Sequence, residues 1–176
     1  MKKQGGLAGM IFLLIAILVL VGSWLYFSGL ILNNNKELIP LEQLQTNFND
    51  GKACFNQETT NNCFDIAIEK DDLGRNTGLM FNKGIRNDQG MLFVFEGEGE
   101  HGMWMKNMII PLDMMWINSE GIIVFTAHDI EPCSKDFCPT ITNDVDAKYV
   151  LEMNAGILSQ KEIKVGDKVT IRINNL

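Results

Sequence analysis

The 176-residue sequence predicts a mainly β protein, a compact β sandwich or barrel with one or two short helices, preceded by an N-terminal transmembrane helix. An uncharged apolar run over residues 7–32 predicts the membrane helix, since about 20 apolar residues cross a bilayer core. Seven short segments with strand periodicity, separated by turn residues, predict the β domain. We therefore expect a cytoplasmic N-terminus at 1–6, a transmembrane signal-anchor helix at 7–32, a polar stalk at 33–51 and an extracytoplasmic β domain at 52–176.

Two lysines, Lys2 and Lys3, precede the apolar run and fix its expected orientation. Because positive charge stays on the cytoplasmic side, everything after residue 32 should lie outside the cytoplasmic membrane of a prokaryotic cell. The run is longer than the apolar part of a signal peptide, although the small residues Val21, Gly22 and Ser23 leave cleavage open. We expect a single-pass protein held in the membrane by this helix.

The charge of the chain excludes one class of partner. The net charge is −7, and all 22 acidic residues follow the apolar run. No basic patch interleaved with aromatic residues is present in the sequence, so nucleic-acid binding is not expected.

The four cysteines, Cys54, Cys63, Cys133 and Cys138, all lie in the expected exported region. An oxidising compartment lets disulfides persist, and the even count suits two bridges. Cys54 with Cys63 would tie a hairpin, and Cys133 with Cys138 would tether the long loop over residues 129–146.

The strand signals follow the stalk in order. In Cys63–Glu69, Phe64, Ile66 and Ile68 alternate with more polar residues at the period of a half-buried strand. The turn residues Asn118–Gly121 predict a hairpin between two later strands. The remaining predicted strands are 90–95, 103–106, 112–117, 122–127, 148–153 and 168–173, and the predicted helices are 72–81 and 155–161, the latter with Asn154 as its N-cap.

Several short motifs occur in an order that is typical of one protein family. They are Gly78-Leu79-Met80-Phe81, Gly90–Phe95, Trp104-Met105-Lys106-Asn107, Pro111-Leu112-Asp113, Pro132-Cys133, Cys138-Pro139, Tyr149–Glu152 and Val165-Gly166-Asp167. In this order, over roughly residues 63 to 173, the sequence resembles the prokaryotic domain of unknown function 192 family. It departs from the family pattern at Asn82, Met103 and Thr140, where the family often has Arg, Phe and Tyr. The resemblance implies a compact β sandwich or barrel with few helices, often exported, and no established activity.

The candidate ligand-binding surface consists of Trp104, Lys106, Asn107 and Asp113. On a strand, Trp104 and Lys106 share one face, and an indole beside polar groups suits a sugar or another small polar molecule. The alternative interpretation places Trp104 in the core, pairs Lys106 with Asp113 and makes Asn107 the cap of a turn.

Other clusters contain metal-ligating side chains, but no metal or cofactor is expected. His128, Asp129, Glu131, Cys133 and Cys138 could ligate zinc, but their C-x4-C spacing and compartment favour a disulfide. Met103, Met105, Met108, Met114 and Met115 could bind Cu(I), although core packing explains them better. Glu96, Glu98 and Glu100 before His101 indicate a solvated hairpin tip more than a calcium loop.

The sequence lacks the usual catalytic signatures. It contains no G-x-S-x-G, H-E-x-x-H, P-loop, G-x-G-x-x-G or C-x-x-C motif. We therefore expect a membrane-anchored domain that binds a small polar ligand or envelope component. The alternatives are a cell-envelope hydrolase or other enzyme, and a structural or assembly partner of another membrane protein.

Overall fold

The structure is a computed structural model of the full chain, and it describes residues 30–32, 38–40, 46–55 and 62–174. The chain divides into two compact units, Met1–Gln45 and Thr46–Leu176. In the first unit, strand β1 (Leu30–Leu32) pairs antiparallel with strand β2 (Leu38–Pro40).

The predicted transmembrane helix, residues 7–32, lies outside the described residues except for its last three, which form strand β1. Within the described ranges, no helix has both the length and the apolar composition that crossing a bilayer requires. Of the predicted stalk, the structure describes 38–40 and 46–51, and the first strand of the second unit already begins at Gly51.

The second unit is built on one seven-stranded sheet. Its strands are β3 (Gly51–Phe55), β4 (Cys63–Glu69), β5 (Gln89–Gly99), β7 (Leu112–Ile117), β8 (Ile123–Ile130), β10 (Ala147–Asn154) and β11 (Val169–Ile173). Their order in the sheet is β11-β3-β4-β5-β10-β7-β8, and every pair is antiparallel except β4 with β5.

The sheet curls until its two edges meet at one point. A single bridge joins Ile122, just before β8, to Lys168, just before β11. Backbone bonds between Val169 N and Gly121 O (2.7 Å) and between Ile123 N and Asp167 O (3.0 Å) hold this corner. The predicted sandwich or barrel is therefore a half-barrel, since the edges do not pair along their length.

Both faces of the curled sheet are covered. The inner cluster contains buried residues from all seven strands, such as Phe64, Leu92 and Met115. The outer cluster lies on the other face and contains Phe93 and Trp116. Strand β7 is buried at each of its six positions because it packs against both clusters.

The parallel pair β4–β5 needs a crossover, and residues 70–88 supply it with helix α1 (Asp72–Thr77). Asp71 caps α1 because its side chain accepts from Gly74 N at 2.8 Å. The predicted helix continued to Phe81, but the observed one ends at Gly78, whose φ of 47° is incompatible with helix continuation.

A small second sheet covers part of the outer face. Strand β6 (Met103–Trp104) pairs with strand β9 (Thr140–Ile141), and the Cys133–Cys138 disulfide closes a short loop in the segment between β8 and β9. The predicted strand at 103–106 was too long, since Lys106 makes only an isolated bridge to Cys133.

The second helix, α2 (Ile157–Gln160), is shorter than the predicted 155–161. Its N-cap is Gly156 with a φ of 83°, so the prediction that Asn154 caps it was wrong. The Asn154 amide instead donates to Ile85 O (2.8 Å) and Asn87 Oδ1 (2.9 Å) in the crossover.

The hairpin predicted from the first cysteine pair is confirmed. Cys54 of β3 and Cys63 of β4 are register partners and form a disulfide. Residues 56–61 between them lie outside the described residues. The hairpin over Leu112–Ala127 is also confirmed, with Asn118 Oδ1 accepting from Ile122 N in its turn.

Candidate functional site

A cleft of about 280 Å³ opens on the outer face of the sheet between helix α1 and the β6–β9 pair. This volume is near the lower end of small-molecule pockets, which span roughly 300–1,000 Å³. Phe93 and Phe95 of β5 contribute its aromatic lining. The other lining residues are Asp72, Arg75 and Asn76 of α1 together with Gly102, Met103, Trp104 and Thr140.

Trp104 lies in this cleft with 39% of its surface exposed. The period of two along the segment buries Met103 and Met105 and leaves Trp104 outside the core. The Lys106 ammonium lies 5.7 Å from the centroid of the Trp104 ring, a cation–π distance. The structure thus brings Trp104 and Lys106 together on one face, as the sequence predicted, and the alternative of a core Trp104 was wrong.

Arg75 forms a rigid wall of the cleft. Its guanidinium donates to Val94 O at 3.0 Å and to Asp72 Oδ1 at 2.6 Å. The same group lies 5.5 Å from the ring centroid of Phe95, and the ring of His101 stacks on Phe95 at 3.6 Å with an interplanar angle of 6°. These contacts hold a fixed positive charge beside aromatic rings.

Asn107 adjoins Lys106 but supports the backbone. Its N–H donates to Cys133 O at 2.9 Å, and its carbonyl accepts from Phe81 N at 3.0 Å. Its side-chain amide contacts the Met80 sulfur at 3.7 Å. With a φ of 57°, Asn107 occupies the left-handed region that Asn tolerates, and it joins two loops at the margin of the site.

Asp113 does not share the exposed face with Trp104, because it is completely buried in β7. Its two carboxylate oxygens accept from Asp129 N and Leu158 N, each at 2.9 Å. It therefore fixes β8 and helix α2 to β7. The alternative interpretation, which paired Asp113 with Lys106, was wrong. The partners of the Asp113 carboxylate are these two backbone N–H groups.

Glu152 is a functional candidate that sequence reasoning missed. It is only 3% exposed, and it lines a narrow recess together with Trp104, Lys106 and Met108. Burial raises the pKa of its carboxyl to about 8. A signal was available, since Glu152 is a charged residue within the buried strand segment 150–153.

The side chains that the sequence offered as metal ligands do not converge on one point. Cys133 and Cys138 bond to each other, so their sulfurs are not free thiolates. His128 is exposed and contacts Thr126 Oγ1 at 3.2 Å. Across the described residues, no three His, Cys, Asp or Glu side chains are grouped as a metal site. Of the five methionines, Met103, Met105, Met108 and Met114 belong to the outer cluster and Met115 to the inner one.

The acidic run over residues 96–100 is not a hairpin tip, because most of it extends strand β5 as far as Gly99. Glu98 accepts from the backbone N–H of Ser119, which lowers the pKa of its carboxyl. The run therefore lies along an exposed strand end that contacts the β7–β8 turn.

Comparisons with known proteins identify one matching family and two proteins of similar structure. The model of the domain of unknown function 192 family, described as "Uncharacterized ACR", matches residues 54–171. A protein from Sinorhizobium meliloti 1021, described as a candidate transcription regulator, has a similar structure with a TM-score of 0.64 and 28% identity, covering 73% of this chain and 98% of its own. A protein of unknown function from Novosphingobium aromaticivorans DSM 12444 has a TM-score of 0.61 and 21% identity, covering 80% of this chain and 91% of its own, which shows the fold alone. None of the curated proteins matches.

Proposed function

The chain belongs to the domain of unknown function 192 family, as its motifs predicted, and we propose that it is a membrane-anchored, extracytoplasmic domain that binds a small polar ring, such as an envelope sugar, beside Trp104. The observation that carries this proposal is the cleft of about 280 Å³ in which a part-exposed indole lies beside polar side chains.

Ring stacking would supply most of the affinity of the cleft for a sugar. A sugar has an apolar face that packs on an aromatic ring and a rim of hydroxyls that needs hydrogen-bond partners. Trp104 supplies the exposed ring, and Asn76 and Thr140 supply polar side chains within the same lining. Preorganisation lowers the entropy lost on binding, and the bonded Arg75 side chain is already fixed.

The proposed location rests on the sequence and agrees with the cysteine chemistry. Residues 7–32 carry no charge and follow Lys2 and Lys3, which favours a membrane anchor with an external domain. Both cysteine pairs form disulfides, the state that an oxidising compartment maintains. After alkaline carbonate extraction, the full chain should stay in the membrane fraction, and external protease should digest its C-terminal domain in spheroplasts. Release into the supernatant, or protection from protease, would contradict the proposed location.

Isothermal titration calorimetry of the full chain in lipid nanodiscs tests the binding role. A panel of neutral, amino and acidic monosaccharides should include at least one that binds saturably. Trp104→Ala should weaken that binding at least tenfold, and Lys106→Ala should weaken it less, because Lys106 contacts one side of the indole.

The matched control is Phe137→Ala, which removes an aromatic side chain that is 92% exposed and lies outside the cleft lining. This variant should bind as the unmodified chain does. Equal losses in Trp104→Ala and Phe137→Ala, or no saturable binding across the panel, would contradict the binding role. Consumption of a sugar during the titration would favour the envelope-enzyme alternative.

A further inference from the structure

A small recess adjoins the cleft, and Glu152 is one of the residues that line it. The recess has a volume of about 10 Å³, which admits roughly one water-sized group. The two cavities adjoin, because they share the lining residues Arg75, Asn76, Phe93, Met103 and Trp104. Glu152 therefore lies next to the cleft, where a small polar atom of a bound ligand could reach it.

Among the described residues, no hydrogen bond or ion pair reaches the Glu152 carboxyl, and burial is the cause of its raised pKa. Its register neighbours on β5 and β7 are Met91 and Met114, which are both buried and apolar. A buried carboxyl without a partner destabilises a fold, and the large majority of such groups are satisfied. A polar atom placed in the recess could therefore satisfy the hydrogen-bonding capacity of Glu152.

The charges around the recess indicate the sign of that partner. Arg75 from helix α1 and Lys106 from the segment after β6 are the charged side chains that line the recess with Glu152. Asp72 lines the outer cleft, where it is paired with Arg75. Because burial raises the pKa of Glu152 to about 8, its carboxyl is neutral at pH 7 and can donate a hydrogen bond.

We propose that the recess binds one carboxylate oxygen of the ligand, so that the cleft selects a sugar acid over the corresponding neutral sugar. The protonated Glu152 carboxyl donates to that oxygen, while the Lys106 ammonium offsets its negative charge. This assignment rests on the proposed function, because it names the ligand class of the same cleft and makes Glu152 its specificity-determining residue.

The test compares D-glucuronate with D-glucose, which differ in one carboxylate, by calorimetry on the full chain in nanodiscs at pH 7 and pH 9. At pH 7 glucuronate should bind at least tenfold more tightly than glucose. Between pH 7 and pH 9 its affinity should fall by about tenfold, because Glu152 ionises over this range and ceases to donate.

Glu152→Gln supplies the decisive comparison, since an amide of the same shape donates at both pH values. This variant should keep its glucuronate affinity at pH 7 and lose the difference between pH 7 and pH 9. Lys106→Gln should bind glucuronate more weakly at both pH values while retaining the pH dependence, which separates the two side chains.

The outcomes distinguish this inference from the proposed function. Equal, pH-independent binding of both sugars, sensitive to Trp104→Ala, would overturn the role of Glu152 and leave the binding role intact. An unchanged pH dependence in Glu152→Gln would also overturn the role of Glu152. Failure of both sugars to bind would overturn this inference and count against the proposed function as well.

Discussion

Replacing Asp113 should test whether this residue is structural. Its carboxylate is fully buried and accepts two backbone N–H bonds at 2.9 Å, from Asp129 and Leu158. A hydrogen bond to a charged group contributes about 1.5–3 kcal/mol, and each donor left buried adds a desolvation penalty. Asp113→Ala should therefore lower the free energy of unfolding by about 3–5 kcal/mol. Asp113→Asn keeps one acceptor and should lose about half as much.

Urea unfolding of the full chain in mild detergent, followed by circular dichroism, measures these differences. The matched control is Asp167→Ala, because Asp167 also accepts a backbone N–H, from Lys164 at 3.0 Å, but does so on the surface. The control should change the free energy of unfolding little. If Asp113→Ala is no more destabilising than the control, and instead abolishes sugar binding in a fully stable protein, the structural assignment of Asp113 is refuted.

Three further predictions concern stability. Burial raises the pKa of Glu152 from 4.5 to about 8, so the stability that its neutral form contributes is complete below pH 4.5 and is lost as the pH rises to 8. Between pH 4.5 and pH 7 the unmodified chain should therefore lose about 3 kcal/mol in its free energy of unfolding relative to Glu152→Gln, as measured by urea titrations at both pH values. Gly121→Ala should lower the free energy of unfolding by about 2 kcal/mol in thermal melts, because the φ of Gly121 is 78° and a Cβ there would lie 2.5 Å from a carbonyl oxygen of β11. The control Gly84→Ala should leave the stability unchanged, because its Cβ would meet no atom within 4 Å. Replacing Cys133 and Cys138 with serine should cost about 2 kcal/mol by freeing the short loop, and calorimetry should show weaker sugar binding.

Strand positions were predictable where local chemistry determines them. Cys63–Glu69 alternates cleanly, and Leu112–Ile117 runs into a turn, so both predicted strands agree with the observed ones. Strand β5 extends beyond the predicted Phe95 because its far end, Gly99, pairs with Ala147. Such partners are distant in sequence, and the single Ile122–Lys168 bridge that sets the curl is distant too.

The site was predictable only in part, for a related reason. Trp104 and Lys106 share a face because of the strand period, which is a local property. The role of Asp113 depends on two N–H groups brought from other segments, which no spacing in the sequence reveals. Glu152 lies within a buried strand segment, and this conflict between charge and burial is the kind of local signal that marks a functional position.

The most direct test of the central claim is a titration of the full chain with D-glucuronate in nanodiscs, followed through the three tryptophan indole N–H signals by NMR. Trp104 is 39% exposed in the cleft, whereas Trp116 is buried and donates to His101 O at 2.6 Å, so it serves as an internal reference. Binding in the cleft should shift the Trp104 signal saturably and leave the Trp116 signal in place. A Trp104 signal that stays in place at saturating sugar, or that moves only in step with Trp116, would contradict a ligand site at this cleft.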